Sequence, residues 1–373
     1  MKIAYLSTFY PFRGGIAQYN ASLFRALEKS HEVKAYNFTV QYPNLLFPGT
    51  SQYVPENDNA DPIPSTRLLN SINPLSYWKT ATEIGKFAPD LLIIGYWMPF
   101  FGPSQGMVAK LLRKKGCKVI SVINNLIPHE QKPGDAQFTN FFVKQNDGFV
   151  VMGESVKNDL LSVRPDAPFI LHPHPIYAHF GEKIERNEAL KKLDIAPDKK
   201  VILFFGLIRA YKGLDALIEA MGQLSDEYVL LIVGEAYESI EKYKKLIETS
   251  PNKEGIRLIN EYVPDEEVNT YFSAADVNIL PYRTATQSGV SAVAFHFDVP
   301  IIVTDKGSLK ESVKPYGTGL AIPDAEPTLI ANAIQEVFRE GNLEKFKQNI
   351  ASFKAKFTWA NLAEEITTFT KTL

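Results

Sequence analysis

Short apolar runs alternate with amphipathic stretches along the whole chain. In the first half the runs are Ile3–Leu6, Val33–Phe38, Leu91–Gly95, Val119–Ile123 and Phe149–Val151. In the second half they are Val201–Phe205, Val229–Val233, Ile256–Ile259, Val277–Leu280 and Ile301–Val303. Nearly continuous apolar runs of this length are typical of strands that are covered on both faces. Each half is therefore predicted to form a doubly wound parallel sheet of the α/β class.

The chain of 373 residues is long enough for two domains. Between the runs, apolar residues recur with the helical period, as at Leu214, Leu217, Ile218, Met221 and Leu224. The segment His172–Lys200 contains no apolar run, so we place the change of domain there. Residues 41–78 carry six prolines and no clear period. They are predicted to be a long irregular insertion, which either helps to form a binding cleft or is a surface excursion.

Composition narrows the class of protein. A formal net charge of −2 gives no electrostatic field for nucleic acid, so binding of nucleic acid is not expected. The single cysteine, Cys117, excludes an internal disulfide and a CxxC metal site. The sequence shows neither a signal peptide nor an apolar run of membrane-spanning length, so a cytoplasmic, soluble enzyme is expected. Lys110, Arg113, Lys114 and Lys118 form either a solvated face or a weak peripheral contact with anionic lipid.

Two glycine-containing loops follow the first strand of each half. Pro11–Gly15 precedes a helical pattern, and its paired Gly14 and Gly15 let the backbone approach an anion, although a tight turn is the simpler interpretation. In the second half, Phe205–Gly213 brings Arg209 and Lys212 to the end of a buried strand. A transferase with a diphosphate leaving group needs cations where negative charge develops. Elsewhere in a chain, such a pair would be interpreted as a solvated face.

The chain is organised around Leu280–Val313. An apolar strand ends at Leu280-Pro281, a polar turn follows, and a helix begins at Ser288-Gly289. Unpaired amides at such a helix N-terminus suit a phosphate group, and a simple helix cap is the alternative. A second buried strand then leads to Asp305-Lys306-Gly307 and, after three further residues, to Glu311.

This order of strand, proline, loop, helix, proline, strand, Asp-x-Gly and glutamate resembles the donor half of GT-B glycosyltransferases of the large retaining class, family 4. The resemblance implies two Rossmann-like domains that face each other across a cleft. Residues 1–175 would form the acceptor domain and residues 176–356 the nucleotide-sugar donor domain. The final helix, in residues 357–373, would pack back on the first domain.

The resemblance also implies site residues. Lys212 and Arg209 would act on the departing diphosphate. Donor contacts would come from Gly14, Gly15, Gly206, Arg209, Lys212, Gln287, Ser288, Gly289, Val290 and Glu311. The family has its arginine directly after the glycine, where this chain has Leu207. Its two glutamates fall on Ala285 and Val293, which accept no hydrogen bond from a sugar through their side chains. Gln287–Val290 instead resembles a sub-branch with Gln-Ser-Gly before the helix.

A polar segment, Asn124–Glu130, follows a buried strand of the first half. It resembles the family pattern His-Asn-x-x-Pro-His-Glu, with Asn124 in place of the first histidine. The resemblance makes His129 a candidate catalytic residue that orients donor sugar or acceptor, and a structural histidine is the alternative. Asn125 and Trp97 are candidate acceptor contacts, and Trp97 is alternatively a core residue.

The function implied is transfer of a sugar from a nucleotide-diphosphate sugar to a hydroxyl of a glycan or glycolipid acceptor. No cofactor and no metal are expected, because cations and helix N-termini can carry the charge of the diphosphate. No Ser–His–Asp arrangement suggests a protein nucleophile. A non-catalytic sugar-nucleotide sensor or scaffold, and an epimerase or phosphorylase on the same fold, are the alternatives, since fold does not fix function.

Overall fold

A computed structural model describes residues 1–43, 52–54, 61–128, 132–176, 180–236, 238–285 and 288–373. The chain divides into two compact units. Unit 1 contains Met1–Pro173 and Thr358–Leu373, and unit 2 contains His174–Phe357. Each unit is built around one parallel sheet.

Unit 1 has a seven-stranded sheet in the order β3-β2-β1-β4-β5-β6-β7. Its strands are β1 (Lys2–Leu6), β2 (Glu32–Val40), β3 (Ser65–Asn70), β4 (Leu91–Tyr96), β5 (Lys118–Ile123), β6 (Gly148–Val151) and β7 (Phe169–Leu171). Its helices are α1 (Gly15–Glu28), α2 (Pro74–Lys86), α3 (Gly102–Arg113), α4 (Asp135–Val143), α5 (Glu154–Val163) and the C-terminal α13 (Trp359–Thr370). Helix α13 packs on α1, where the rings of Trp359 and Tyr19 lie 4.9 Å apart.

Unit 2 has a six-stranded sheet in the order β10-β9-β8-β11-β12-β13. Its strands are β8 (Lys200–Phe205), β9 (Tyr228–Val233), β10 (Ile256–Ile259), β11 (Val277–Leu280), β12 (Ile301–Thr304) and β13 (Gly319–Ile322). Its helices are α6 (Arg186–Lys192), α7 (Leu214–Met221), α8 (Glu241–Thr249), α9 (Asp265–Ala274), α10 (Gly289–His296), α11 (Pro327–Val337) and α12 (Asn342–Lys356). On one face of this sheet, apolar residues of the strands pack with α7 and α11 in a single core.

The predicted doubly wound α/β class is confirmed, and all ten predicted runs are strands. The interpretation of residues 41–78 as irregular throughout is wrong for its second part. Strand β3 pairs in parallel with β2, and Pro74 occupies the first turn of α2, where its missing amide hydrogen has no intrahelical partner to lose. The prediction missed β3 because an edge strand needs no continuous apolar run, and only Leu69 of this strand is fully buried.

Strand order fixes where a ligand can bind in each unit. In unit 2 the chain leaves β8 toward β9 and β10, and later returns to the other side of β8 as β11. In unit 1 the strands β1 and β4 have the same relationship. Loops diverge at such a switch point, and ligands of open α/β sheets bind outside the carboxyl ends of the strands there. The loops after β8 and β11 are therefore the first place to look for a site in unit 2.

Candidate functional site

The turn after β8 is held in a tight conformation by glycines. Gly206 has φ 97° and Gly213 has φ 68°, both in the left-handed region that favours glycine. A Cβ on Gly213 would stand 2.0 Å from the carbonyl oxygen of Pro281, so the turn lies directly against the end of β11. Between these glycines, Ala210–Lys212 forms a short 3-10 helix. The turn therefore presents Lys212 at the switch point.

Lys212 is a buried cation, 7% exposed. Among the residues that the structure describes, its ammonium group has no carboxylate or hydrogen-bond acceptor as a partner, and its neighbour is the ring of Tyr282, 5.3 Å from Nζ to the centroid. Burial, and then the positive charge of Arg209, lower the pKa of Lys212 to about 8. A buried charge without a partner is costly, so this site favours an anion that is not part of the chain.

Arg209 stands at the start of the same turn. It is exposed and extended in backbone conformation, and its carbonyl accepts a hydrogen bond of 2.9 Å from the Lys212 amide. Its positive charge acts on Lys212. Two like charges on one short turn repel each other, and an anion between them relieves that repulsion.

The N-terminus of α10 supplies amide donors next to this turn. Ser288 is the N-cap, but its side chain caps no amide of the helix. The amides of Gly289 and Val290 have no acceptor within the described ranges. A Cβ on Gly206 would lie 3.5 Å from both Lys212 Nζ and Val290 Cγ2, so ammonium and helix terminus border the same space in front of Gly206. This combination of donors and dipole suits a phosphate group.

A second set of contacts clamps the turn. The Arg283 amide donates to the Tyr211 carbonyl at 2.7 Å, and its guanidinium lies 2.8 Å from Asp215. Lys242 approaches the same carboxylate at 2.7 Å. Although burial opposes ionisation of Asp215, these two cations lower its pKa. Sequence reasoning did not identify Tyr282, Arg283 or Asp215, because nothing in the sequence shows that the loop after β11 contacts the turn after β8.

The structure describes some of the other predicted donor positions and not others. Glu311 lies half-buried in the 3-10 helix Leu309–Ser312, which follows β12 at the same edge of the sheet. Val293 is 5% exposed within α10, and Ala285 is half-buried. Gln287 and His129 lie outside the residues that the structure describes, so their assignments stay predictions.

Gly14 and Gly15 lie in unit 1, after β1. Gly14 has φ 108° and is the N-cap of α1, whose first turn contains no acidic residue. A Cβ on either glycine would meet no atom within 4 Å, so the backbone is open to close approach here. The loop is supported from below by Asn37, whose amide nitrogen donates to the carbonyls of Phe9 and Tyr10.

The candidate acceptor residues follow β4 and β5. Trp97 is 9% exposed, its indole nitrogen donates to the Tyr42 hydroxyl at 2.8 Å, and it packs on Phe101, so it belongs to the core of unit 1. Asn125 is half-buried, and its Oδ1 has no hydrogen-bond partner in the described part of the chain. An acceptor role remains a prediction for both residues.

Two of the four basic residues Lys110, Arg113, Lys114 and Lys118 make contacts within unit 1. Arg113 lies 2.8 Å from Asp147, and Lys118 Nζ donates to the Leu373 carbonyl at 2.8 Å. Across the described ranges, no group of three or more His, Cys, Asp or Glu side chains is arranged to hold a metal ion. Nor does any helix in those ranges have the length and apolar character needed to cross a membrane.

Comparison with known proteins shows what unit 2 is similar to. Residues 185–353 match the family model described as glycosyl transferases group 1. The chain has the GT-B fold, and its unit 2 is similar to the glycosyl transferases group 1 domain. The matched segment contains β8 to β13 and all the donor candidates of unit 2.

Similar proteins extend over different lengths of the chain. The D-inositol 3-phosphate glycosyltransferase of Corynebacterium diphtheriae is 25% identical over 239 residues, covering 60% of this chain and 56% of that protein. An uncharacterized glycosyltransferase of Methanocaldococcus jannaschii is 23% identical over 367 residues, covering 96% and 95%. The Anabaena protein HepE, solved in complex with UDP, has a TM-score of 0.77 at 13% identity over all of both chains. These matches support a transferase and confirm the GT-B fold.

Proposed function

We propose that this protein is a retaining glycosyltransferase that moves a sugar from a nucleotide-diphosphate sugar to the hydroxyl of a glycan or glycolipid acceptor. The observation that carries the proposal is the buried Lys212 ammonium, which lies against the Tyr282 ring and has a second cation nearby and no anionic partner in the described residues. A bound diphosphate supplies the missing negative charge.

In the proposed reaction, the bond between the anomeric carbon and the diphosphate oxygen breaks, and the diphosphate takes the electron pair. Lys212, Arg209 and the amides of Gly289 and Val290 stabilise the negative charge that develops on this leaving group. The acceptor hydroxyl attacks on the leaving-group face and passes its proton to a diphosphate oxygen. The chain then needs neither a nucleophilic side chain nor a metal ion.

The base of the donor is proposed from a similar structure. HepE was solved in complex with UDP-glucose, and it shares the fold of this chain with a TM-score of 0.75. Uridine donors are therefore the first to test. Unit 1 is proposed to bind the acceptor, with Asn125 and Trp97 as candidate contacts. The reaction is expected in the cytoplasm.

The test is release of nucleoside diphosphate from a panel of nucleotide sugars with and without glycan acceptors. The product should carry the anomeric configuration of the donor, as read by proton NMR. Inversion of configuration contradicts the retaining mechanism, and a panel that yields neither binding nor release contradicts the proposal as a whole.

A non-catalytic sugar-nucleotide sensor or scaffold is the second candidate. It is favoured by Val293, because an apolar side chain buried in α10 stands where the family resemblance places a glutamate. Tight donor binding without hydrolysis or transfer to any acceptor distinguishes this function from an enzyme.

A further inference from the structure

Tyr282 contacts both parts of the candidate anion site, which consists of the turn after β8 with Lys212 and the N-terminus of α10. It lies two residues after the end of β11 and is 3% exposed. Its ring lies 5.3 Å from Lys212 Nζ, and its hydroxyl lies 3.3 Å from the Ser288 hydroxyl. Its carbonyl oxygen accepts a 2.5 Å hydrogen bond from the Thr304 hydroxyl at the end of β12. One side chain thus touches the turn after β8 and the N-cap of α10, while its backbone is fixed to a third strand.

We propose that Tyr282 is a positioning residue that holds the Lys212 ammonium and the N-terminus of α10 together as one diphosphate-binding unit. The proposal rests on the proposed function, and it goes beyond it by assigning a role to a residue that need not touch the donor.

The ring explains why a lysine with no acidic partner among the described residues stays in place. A lysine side chain has a flexible four-carbon stem and normally turns its ammonium group toward water or a carboxylate. Asp215, three residues away, is already held by Arg283 at 2.8 Å and Lys242 at 2.7 Å. The electron-rich face of Tyr282 attracts the ammonium without neutralising it. The cation therefore remains available to an incoming phosphate.

The hydroxyl explains why the helix terminus stays open. A serine at an N-cap normally accepts a hydrogen bond from an amide of the first turn. Here the Ser288 side chain makes no such bond and contacts the Tyr282 hydroxyl instead. Burial raises the pKa of Tyr282, so the phenol keeps its proton at neutral pH. The Gly289 and Val290 amides are left to a ligand.

Two substitutions separate the ring from the hydroxyl. Tyr282→Phe keeps the ring under Lys212, and Tyr282→Leu removes it. The measurement is the Kd for UDP by calorimetry on the full chain, or for whichever nucleoside diphosphate the wild type binds best, with the donor KM and kcat beside it. We expect Tyr282→Leu to weaken binding by about 10-fold or more, equivalent to about 1.4 kcal/mol. Tyr282→Phe should change it by less than about 3-fold, since only the contact with Ser288 is lost.

The matched control is Tyr228, another buried tyrosine of unit 2. It is 5% exposed and lies under the ammonium of Lys200, 5.0 Å from Nζ to the centroid. Tyr228 stands at the start of β9, so it lies at the amino ends of the parallel strands, whereas the site lies at their carboxyl ends. Both Tyr228→Leu and Tyr282→Leu should lower the melting temperature. Tyr228→Leu should leave the Kd for the nucleoside diphosphate unchanged.

A double substitution distinguishes positioning from general support of the fold. If Tyr282 acts through Lys212, removing both side chains should weaken binding no more than Lys212→Ala alone, because the effects of coupled residues do not add. The proposal is overturned if the two losses add or if Tyr282→Leu binds like wild type. A Lys212→Ala protein that binds normally overturns the proposed function itself, and with it the role of Tyr282.

Discussion

Lys212 and Tyr282 are 70 positions apart in the chain, yet the Lys212 ammonium lies 5.3 Å from the centre of the Tyr282 ring. The parallel pairing of β8 with β11 produces this contact, since it brings the loops after the two strands to the same edge. The result is a cation that is buried, held in place and not neutralised by any residue that the structure describes. Such a group destabilises the protein without ligand and stabilises the complex with an anion.

The first prediction concerns stability and pH. Because the pKa of Lys212 falls from the ordinary 10.5 to about 8 on folding, the folded state bears a cost of about 3 kcal/mol wherever the lysine is charged in both states. Below pH 8 that cost is complete. Between pH 8 and 10.5 the unfolded state holds a proton that the folded state lacks, so stability rises with pH.

Lys212→Met removes the charge while keeping the length of the side chain. Without ligand at pH 7, it should raise the free energy of unfolding by up to about 3 kcal/mol relative to wild type. The difference in stability between the two proteins should decrease as the pH approaches 10.5, the ordinary pKa of lysine. Urea unfolding at several pH values measures it, and a Lys212→Met protein that is less stable at pH 7 contradicts this account of the site.

The second prediction tests the close approach of the turn to β11. Gly213→Ala places a Cβ 2.0 Å from the Pro281 carbonyl oxygen in a residue with φ 68°, so the turn must move. We expect a loss of more than about 2 kcal/mol in stability and weaker donor binding. Gly341→Ala is the control: φ is 81°, but nothing lies within 4 Å of the new atom. It should cost only about 1 kcal/mol and spare binding, and equal losses in the two variants would argue against the clamp.

The sequence predicts the strands well and the site only in part. Runs such as Val201–Phe205 are recognisable because strands covered on both faces must be apolar throughout. Strand β13 escapes detection because Gly319 begins it, where any Cβ would stand 1.9 Å from the Ile301 carbonyl oxygen. Lys212 can be predicted as a site residue from the sequence, because it stands between a buried strand and Gly213. The role of Tyr282 cannot be predicted in this way, because it depends on which loops the sheet order brings together.

The third prediction concerns the missing glutamates. Val293 is 5% exposed in α10, so a carboxylate placed there would be removed from water. Val293→Glu should lower the free energy of unfolding by about 3 kcal/mol or more and should not raise activity. Ala285→Glu, at a half-buried position, should be tolerated. Melting curves and steady-state kinetics measure both, and a Val293→Glu enzyme that is stable and faster would show that the site still accepts the family's carboxylate.

The fourth prediction concerns metal ions. Since Lys212, Arg209 and the α10 amides are proposed to carry the charge of the diphosphate, transfer should continue in excess EDTA. The assay is release of nucleoside diphosphate after prolonged dialysis against chelator. Complete loss of turnover, restored by Mg²⁺ or Mn²⁺, would mean that a metal ion holds the diphosphate.

Calorimetric titration of nucleoside diphosphates into wild type and Lys212→Met at pH 7 tests the central claim most directly. UDP, GDP and ADP together cover the common donor bases. We predict that at least one binds the wild type with a stoichiometry of one, and that Lys212→Met weakens this binding by about 100-fold while melting at a higher temperature without ligand. Equal affinity in the two proteins, or no binding of any of the three to the wild type, would contradict the assignment of Lys212 as the anchor of a diphosphate.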